Sequence, residues 1–295
     1  MKLYAWLTFL ALCAATAVAD EEAADNAAPV EAHTPTKNTI GMTMVPIPAG
    51  TFHMGSPDRE PGRNNNEGQV EATITKPFLM SDTEVTQEQW TAVMGNSPWD
   101  GAVSNSFAKK GPRFPAVGVT WDDAMAFCKE LTDSERKAGK VPADVTYSLP
   151  TEAQWEFACR AGSANAYAFG HAASKLGDYA WWGGDISDGN ARAEPYAHEV
   201  GGKQPNAWNL FDMHGNVSEW CLDGFEDTLP GGTDPLTPAS GYDRAVRGGG
   251  WTDGHGNCRS AWRWRESSAS SSYSRGFRVV RTLGTADGTA AEDSK

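Results

Sequence analysis

The chain has 295 residues, 38 acidic against 25 basic, and a formal net charge of −13. A surplus of that sign would repel double-stranded nucleic acid. No internal repeat is visible, and 31 glycines, 17 prolines and 12 tryptophans indicate a chain dominated by long irregular loops.

Lys2 precedes an apolar run from Leu3 to Val18 that exits through Ala17-Val18-Ala19 into acidic sequence, the pattern of a cleaved signal peptide over residues 1–19. The run is shorter than the roughly 20 residues a membrane helix needs, so no stable membrane span is expected. Export to a periplasm or the exterior follows. Residues 20–39 are rich in Ala, Glu, Pro and Thr, with Val30 the sole large apolar side chain, and read as a disordered leader. Residues 40–282 fit one large domain and 283–295 a disordered tail. Loss of Cys13 with the signal leaves Cys128, Cys159, Cys221 and Cys258, which an oxidising compartment can pair in three ways. A Cys221–Cys258 bridge would close a loop of about 37 residues, worth roughly 4 kcal/mol in the chain-entropy model. Buried thiols are the alternative.

Within the domain, strands are expected at Met44–Ile47, Gly50–Met54 and Ala72–Leu79, followed by a helix over Thr83–Met94 with Thr86 and Trp90 to cap and staple it. Thr120–Lys137 sets Ala124, Phe127, Cys128 and Leu131 on one face, with Thr120 or Asp122 as cap. A third helix starts at Thr151 and turns Trp155, Phe157 and Ala158 inward. Arg244–Val246 and Gly276–Val280 complete the strands.

Six blocks carry a resemblance. They are Met44-Val45-Pro46-Ile47-Pro48-Ala49-Gly50, Pro115-Ala116-Val117-Gly118-Val119-Thr120-Trp121, the run Ser148-Leu149-Pro150-Thr151-Glu152-Ala153-Gln154-Trp155-Glu156-Phe157, Gly215-Asn216-Val217-Ser218-Glu219-Trp220-Cys221, Arg247-Gly248-Gly249-Gly250-Trp251 and Arg275-Gly276-Phe277-Arg278-Val279. In this order they resemble the formylglycine-generating enzyme (sulfatase-modifying factor) family. The resemblance implies an α+β, C-type-lectin-like formylglycine-generating-enzyme fold with little regular secondary structure, stabilised by calcium.

Matched residue by residue to the family's motif, Asp212 and Glu219 would bind calcium by side chain and Gly215 and Val217 by backbone carbonyl, hard oxygen donors on a short irregular turn. Bracing of that turn by Asp212 and Glu219 is the alternative. A second calcium site of the family would fall within residues 179–199, where Asp185, Asp188, Asn190 and Glu194 offer oxygens but the alignment slips. Gln204-Pro205-Asn206 mimics the sugar-binding tripeptide of true C-type lectins, although relatives carry Pro-Asn there without a lectin role.

Family enzymes carry two cysteines five residues apart after the Arg-Gly-Gly turn, a soft two-thiolate site for Cu(I). Here the first of those positions is Asp253, a hard donor, so copper is not expected. Cys258 matches the second cysteine by ungapped counting, and Arg263 is retained; a shorter preceding loop would leave Cys258 matched to neither. Gly250, Ser218 and Ser274 stand where the enzymes have Ser, Trp and Asn. In the inherited fold Cys221 and Cys258 both flank the cleft, as a structural disulfide or as a substitute dithiol.

Trp251, Trp262 and Trp264, interleaved with Arg259, Arg263 and Arg265, form either a peptide groove or an aromatic core whose arginines are tied to acids. Two functions emerge. One is an exported, calcium-stabilised binding or accessory module for a protein or peptide partner. The other is a formylglycine-generating-type oxidoreductase acting through Cys258 and Arg263.

Overall fold

Each of the three longer helices begins at a threonine that the sequence marks as a cap. Thr86, Thr120 and Thr151 accept the backbone N–H of the third helical residue, whose own side chain, Gln89, Asp123 or Gln154, reaches back to the cap N–H. The helices are α1 Gln87–Met94, α2 Trp121–Lys137 and α3 Glu152–Arg160; a single further turn, α4, spans Leu176–Tyr179. The first starts later than expected because Val85 is held extended, its N–H donating to Phe277 and its carbonyl accepting from Ala116. The computed structural model describes residues 34–101, 107–184 and 196–284, all of them within the unit Glu31–Lys295. The expected signal peptide and the four candidate oxygen donors Asp185, Asp188, Asn190 and Glu194 lie outside the described residues.

Twelve short strands make three sheets among the described residues. The strands β1 Thr36–Lys37, β2 Thr43–Ile47, β5 Phe78–Ser81, β6 Tyr147–Ser148 and β12 Val280–Thr282 form a sheet in the order β1-β2-β5-β12-β6. A second sheet joins β7 Ser218–Gly224, β9 Asp243–Arg247, β10 Arg263–Ser267 and β11 Arg275–Gly276 in the order β10-β9-β7-β11. The third is β3 Gly50–Met54, β4 Val70–Ile74 and β8 Gly232–Thr233.

Two expected strands are each split. Ala72–Leu79 divides at Pro77, which has no N–H for a ladder. Its halves, β4 and β5, serve different sheets. Likewise Gly276–Val280 becomes the end of β11 and the start of β12, with Phe277 and Val279 buried between the two sheets' strands. The end of the segment expected as a disordered leader over 20–39 is structured from residue 34. Thr36 pairs with Met44, Asn38 Oδ1 accepts the N–H groups of Ile40 and Met42, and Thr39 donates twice to the buried Glu135 at 2.7 Å. These bonds order a segment whose composition alone offers no apolar anchor.

One core gathers Trp90, Phe127 and Phe277, their ring centroids 5.4 to 6.0 Å apart; a second packs Trp155, Met80 and Cys221 around α3. Burial of such side chains contributes about 1.5–3 kcal/mol each. The long loops need other ties. Four fully buried arginines supply them: Arg247 and Arg263 on Glu152, Arg259 on Glu60 and Glu67, Arg278 on Glu219. Among the described residues no helix is long and apolar enough to cross a membrane.

Candidate functional site

Three loops that are far apart in sequence meet beside β7: residues 212–218 leading into it, the turn from Gly248 to Cys258 after β9, and residues 272–274 before β11. Asp212 and Asn216 both adopt left-handed backbone, at φ 59° and 63°, a conformation that Asp and Asn tolerate better than most side chains. Asn216 is pinned there. Its N–H donates to Trp181 and its carbonyl accepts from Trp251, while its side chain exchanges hydrogen bonds with the backbone of His198. Gly249, at φ 66°, admits no Cβ: one would stand 2.6 Å from the Asn257 carbonyl and 3.1 Å from Cys258 Sγ.

The carboxylates at this junction outnumber their cations. Glu219 is engaged by Arg278 through both oxygens, at 2.7 and 2.8 Å, and by Trp155 Nε1 at 2.8 Å. Asp212 accepts the Gly201 N–H on Oδ2 at 2.7 Å. Glu84, absent from the sequence-based assignment, is fully buried on the loop before α1, with its Oε1 3.4 Å from the Val217 nitrogen. The two carboxyls share a hydrogen bond, and neither Asp212 Oδ1 nor Glu84 Oε2 meets any N–H or hydroxyl donor among the described residues. Burial, then repulsion from Asp212 and Glu219, raises the Glu84 pKa well above the usual carboxylate range. Burial likewise lifts Asp212 to about 6. Three buried carboxylates around Arg278 retain an excess of negative charge that protons or a bound cation must compensate.

The donor chemistry fits calcium in part. Asp212 and Glu84 offer hard carboxyl oxygens whose one mutual contact is a shared hydrogen bond, and Gly215 and Val217 lie on the same turn. No three His, Cys, Asp or Glu side chains among the described residues are placed to share one ion, so a Ca²⁺ here would draw on two carboxylates and backbone carbonyls. Glu84 escaped the sequence reading because it lies 128 positions before Asp212 and nothing in its own neighbourhood marks it.

The redox positions are differently occupied. Asp253 braces its own loop: Oδ2 accepts the Gly250 N–H at 2.9 Å and Oδ1 accepts from Asn257 Nδ2 at 3.1 Å. Cys258 is fully buried in an apolar cluster with Tyr167, Leu176 and Ala180. Arg263 is also fully buried, bidentate on Glu152 with both bonds at 2.7 Å, and lies over the Phe225 ring. Its planar fork is consumed in holding β10 to α3, a structural position.

The expected Cys221–Cys258 disulfide is not formed. All four cysteines in the domain are buried thiols, and Cys221 and Cys258 belong to different apolar clusters. Burial pushes the Cys159 thiol up to about 12 and raises Cys128 and Cys221 as well, the opposite of the lowered pKa a reactive thiol needs. The tryptophan and arginine segment is mostly core: Trp251, Trp262, Arg259 and Arg263 are buried and the two arginines are tied to acids, leaving Trp264 and Arg265 exposed. Asn206 does not face a ligand; its side chain bonds the backbones of Ala158, Cys159, Trp208 and Leu210.

His214 gives the region a pH response. It is fully enclosed, with Nδ1 2.9 Å from the Cys258 carbonyl and Nε2 accepting the Ala168 N–H at 3.0 Å, which fixes the neutral Nδ1–H tautomer. Burial first, with Arg160 adding, lowers its pKa to about 4. The unfolded chain therefore takes up a proton near pH 6.5 that the folded one refuses, so this group's contribution is complete above 6.5 and is lost as pH falls toward 4. The expected loss is about 3 kcal/mol. Urea unfolding of wild type and of His214→Gln at pH 7 and pH 4.5 checks it: the wild type should lose more stability on acidification than the variant.

Comparison with known proteins fits this architecture. Over 84% of this chain and 92% of its own length, the formylglycine-generating enzyme of Streptomyces coelicolor is 30% identical. The chaperone protein LppX of Paenibacillus barcinonensis is 28% identical over 70% of this chain and 80% of its own. PvdO from Pseudomonas aeruginosa superposes with a TM-score of 0.71 at 29% identity, covering 85% of this chain and 98% of that one. The fold is thus the C-type-lectin-like fold of formylglycine-generating enzymes. With residues 30–283 matching the sulfatase-modifying factor enzyme 1-like domain from end to end of the ordered structure, the chain belongs to that family.

Proposed function

We propose that this chain is an exported member of the family that lacks the formylglycine-generating copper site and acts as a calcium-stabilised binding or accessory module for a peptide or protein partner. The observation that carries the reading is the use of Asp253. A carboxylate stands where the first thiolate would bind Cu(I), and both its oxygens are spent on closing the 250–257 loop. Hard oxygen stands in for soft sulfur at one of the two positions that must reach the ion, and Cys258 is buried beneath the Gly249 turn. That a relative bears the name of a chaperone supports a role in handling another protein.

Calcium would be held by the Asp212 and Glu84 carboxylates with the carbonyls of Gly215 and Val217, while Glu219, expected from the family motif as a ligand, is held by Arg278 and Trp155. The ion's role is to neutralise the buried carboxyls of Asp212 and Glu84 in place of the protons they would otherwise hold. The runner-up, an oxidoreductase working through Cys258 and Arg263, needs an accessible thiol and an arginine not already committed.

The two readings separate on copper. Titration of the purified protein with Cu(I) under reducing conditions is expected to give no tight one-to-one complex, and a Cys-x-Pro-x-Arg peptide should remain unoxidised by mass spectrometry. Turnover of that peptide above a Cys258→Ser control would overturn the module and establish the oxidase.

A further inference from the structure

The stretch from Gly101 to Trp121 contains Lys109, Lys110 and Arg113 and not one acid, within a protein of net charge −13. Two of its cations are already matched: Lys110 pairs with Asp100 at 2.6 Å and Arg113 with Glu199 at 3.6 Å. Lys109 is not ion-paired among the described residues. Its Nζ lies 4.1 Å from the centre of the Tyr196 ring, and from there a ribbon of rings continues through His198, 5.3 Å on, to Trp181, which lies 3.7 Å from His198 and nearly parallel to it. At the far end Lys203 Nζ sits 3.9 Å over Trp181 and donates to the Gly177 carbonyl, again with no carboxylate partner among the described residues. An ammonium against a ring face keeps charge and donors for a further anion. The ribbon therefore presents two positive ends.

A second aromatic surface adjoins it. Phe107, 41% exposed, precedes Lys109 by two residues, and its ring is 4.9 Å from Tyr273 and 6.4 Å from Trp251. Asn216 links the two surfaces, since it grips the His198 backbone on one side and accepts the Trp251 N–H on the other. Two acids among the described residues beside it are engaged: Asp253 closes its loop and Glu199 is on Arg113.

We propose that this surface selects an extended acidic peptide bearing aromatic side chains, with a ring laid on Phe107 and Tyr273 and carboxylates at Lys109 and Lys203. The proposal deepens the binding-module reading and rests on it. Charge complementarity argues for this occupant: on an acidic molecule an acidic segment is repelled by most of the surface and is drawn to a locally basic, aromatic stretch.

The test uses the purified full chain and fluorescence anisotropy with three short labelled peptides. One alternates Glu and Asp with Phe and Tyr, one replaces its acids by Lys, and one replaces its aromatics by Ala. The acidic aromatic peptide is expected to bind at least about tenfold more tightly than either control, weakening as salt rises from about 0.05 to 0.3 M. Lys109→Glu combined with Lys203→Glu should cost about tenfold or more for that peptide, Lys109→Gln and Phe107→Ala less, all with unchanged melting temperature because these side chains are at least partly exposed. Equal binding of the acidic and Lys peptides would overturn the charge selection while leaving the module reading intact. Absence of binding by all three at millimolar concentration, or tighter binding of a single-stranded oligothymidine, would also overturn it. Neither result bears on the copper titration, which judges the module reading separately.

Discussion

Replacing Glu152 by alanine is expected to destabilise the protein by about 3–5 kcal/mol, enough to remove much of the roughly 5–15 kcal/mol that holds a domain folded. The carboxylate is fully buried on α3 and takes two bonds from Arg263 and a 3.1 Å ion pair from Arg247, both arginines being fully buried as well. Truncation leaves two guanidinium groups deprived of their counter-charge, and the cost is set by that stranded charge rather than by the lost attraction. Arg247 retains Glu156, to which it makes a short contact, so Arg263 bears most of the effect. The comparison is Asp133→Ala, which removes the exposed Lys129–Asp133 pair on α2 and should leave the urea midpoint nearly unchanged, because solvent screens an exposed pair. Urea midpoints of the two variants decide the matter. If Glu152→Ala melts with the wild type, the buried lattice does not hold β10 to α3, and Arg263 returns as a candidate for chemistry.

Chelation is expected to lower the melting temperature by about 5–10 °C. A ligand at a hundredfold excess over its dissociation constant stabilises the native state by about 2.7 kcal/mol, and a domain of this size shifts about 2–4 °C per kcal/mol. Asp212→Ala should abolish the difference between chelated and calcium-loaded samples, and Glu84→Gln should reduce it, a result that a shell made from the 212–219 turn alone would not give. The pH dependence follows from the raised carboxyls. Asp212, lifted from 3.8 to about 6, favours the folded protein most when protonated, so in chelated protein its contribution is complete below the unfolded value and is lost as pH rises through about 6. Calcium needs the ionised form. The gap between the two melting curves should therefore open above pH 6 and close below it. Coincident melting at pH 7.5, with no calcium in elemental analysis, would make Asp212 and Glu84 proton-sharing turn residues.

The sequence by itself determined the local events and the family. A threonine cap marked the start of α3, and Thr120, one of two candidate caps, proved to be that of α2, because a capping box is complete within four positions; the Gly50–Met54 strand was legible from its own residues. The six motif blocks identified the family and its fold. Tertiary structure decided everything that depends on which distant groups meet. Pro77 cut one apparent strand between two sheets. Arg263, expected as a site residue, is half of a buried ion pair with a residue 111 positions away. The even count of cysteines suggested bridges, but burial in separate clusters leaves them as thiols. Glu84 and Arg278 converge on the Asp212–Glu219 turn from opposite ends of the chain, and no local pattern encodes that meeting. A cap or a period is a property of neighbours in sequence; charge balance in a buried junction is a property of the packed whole.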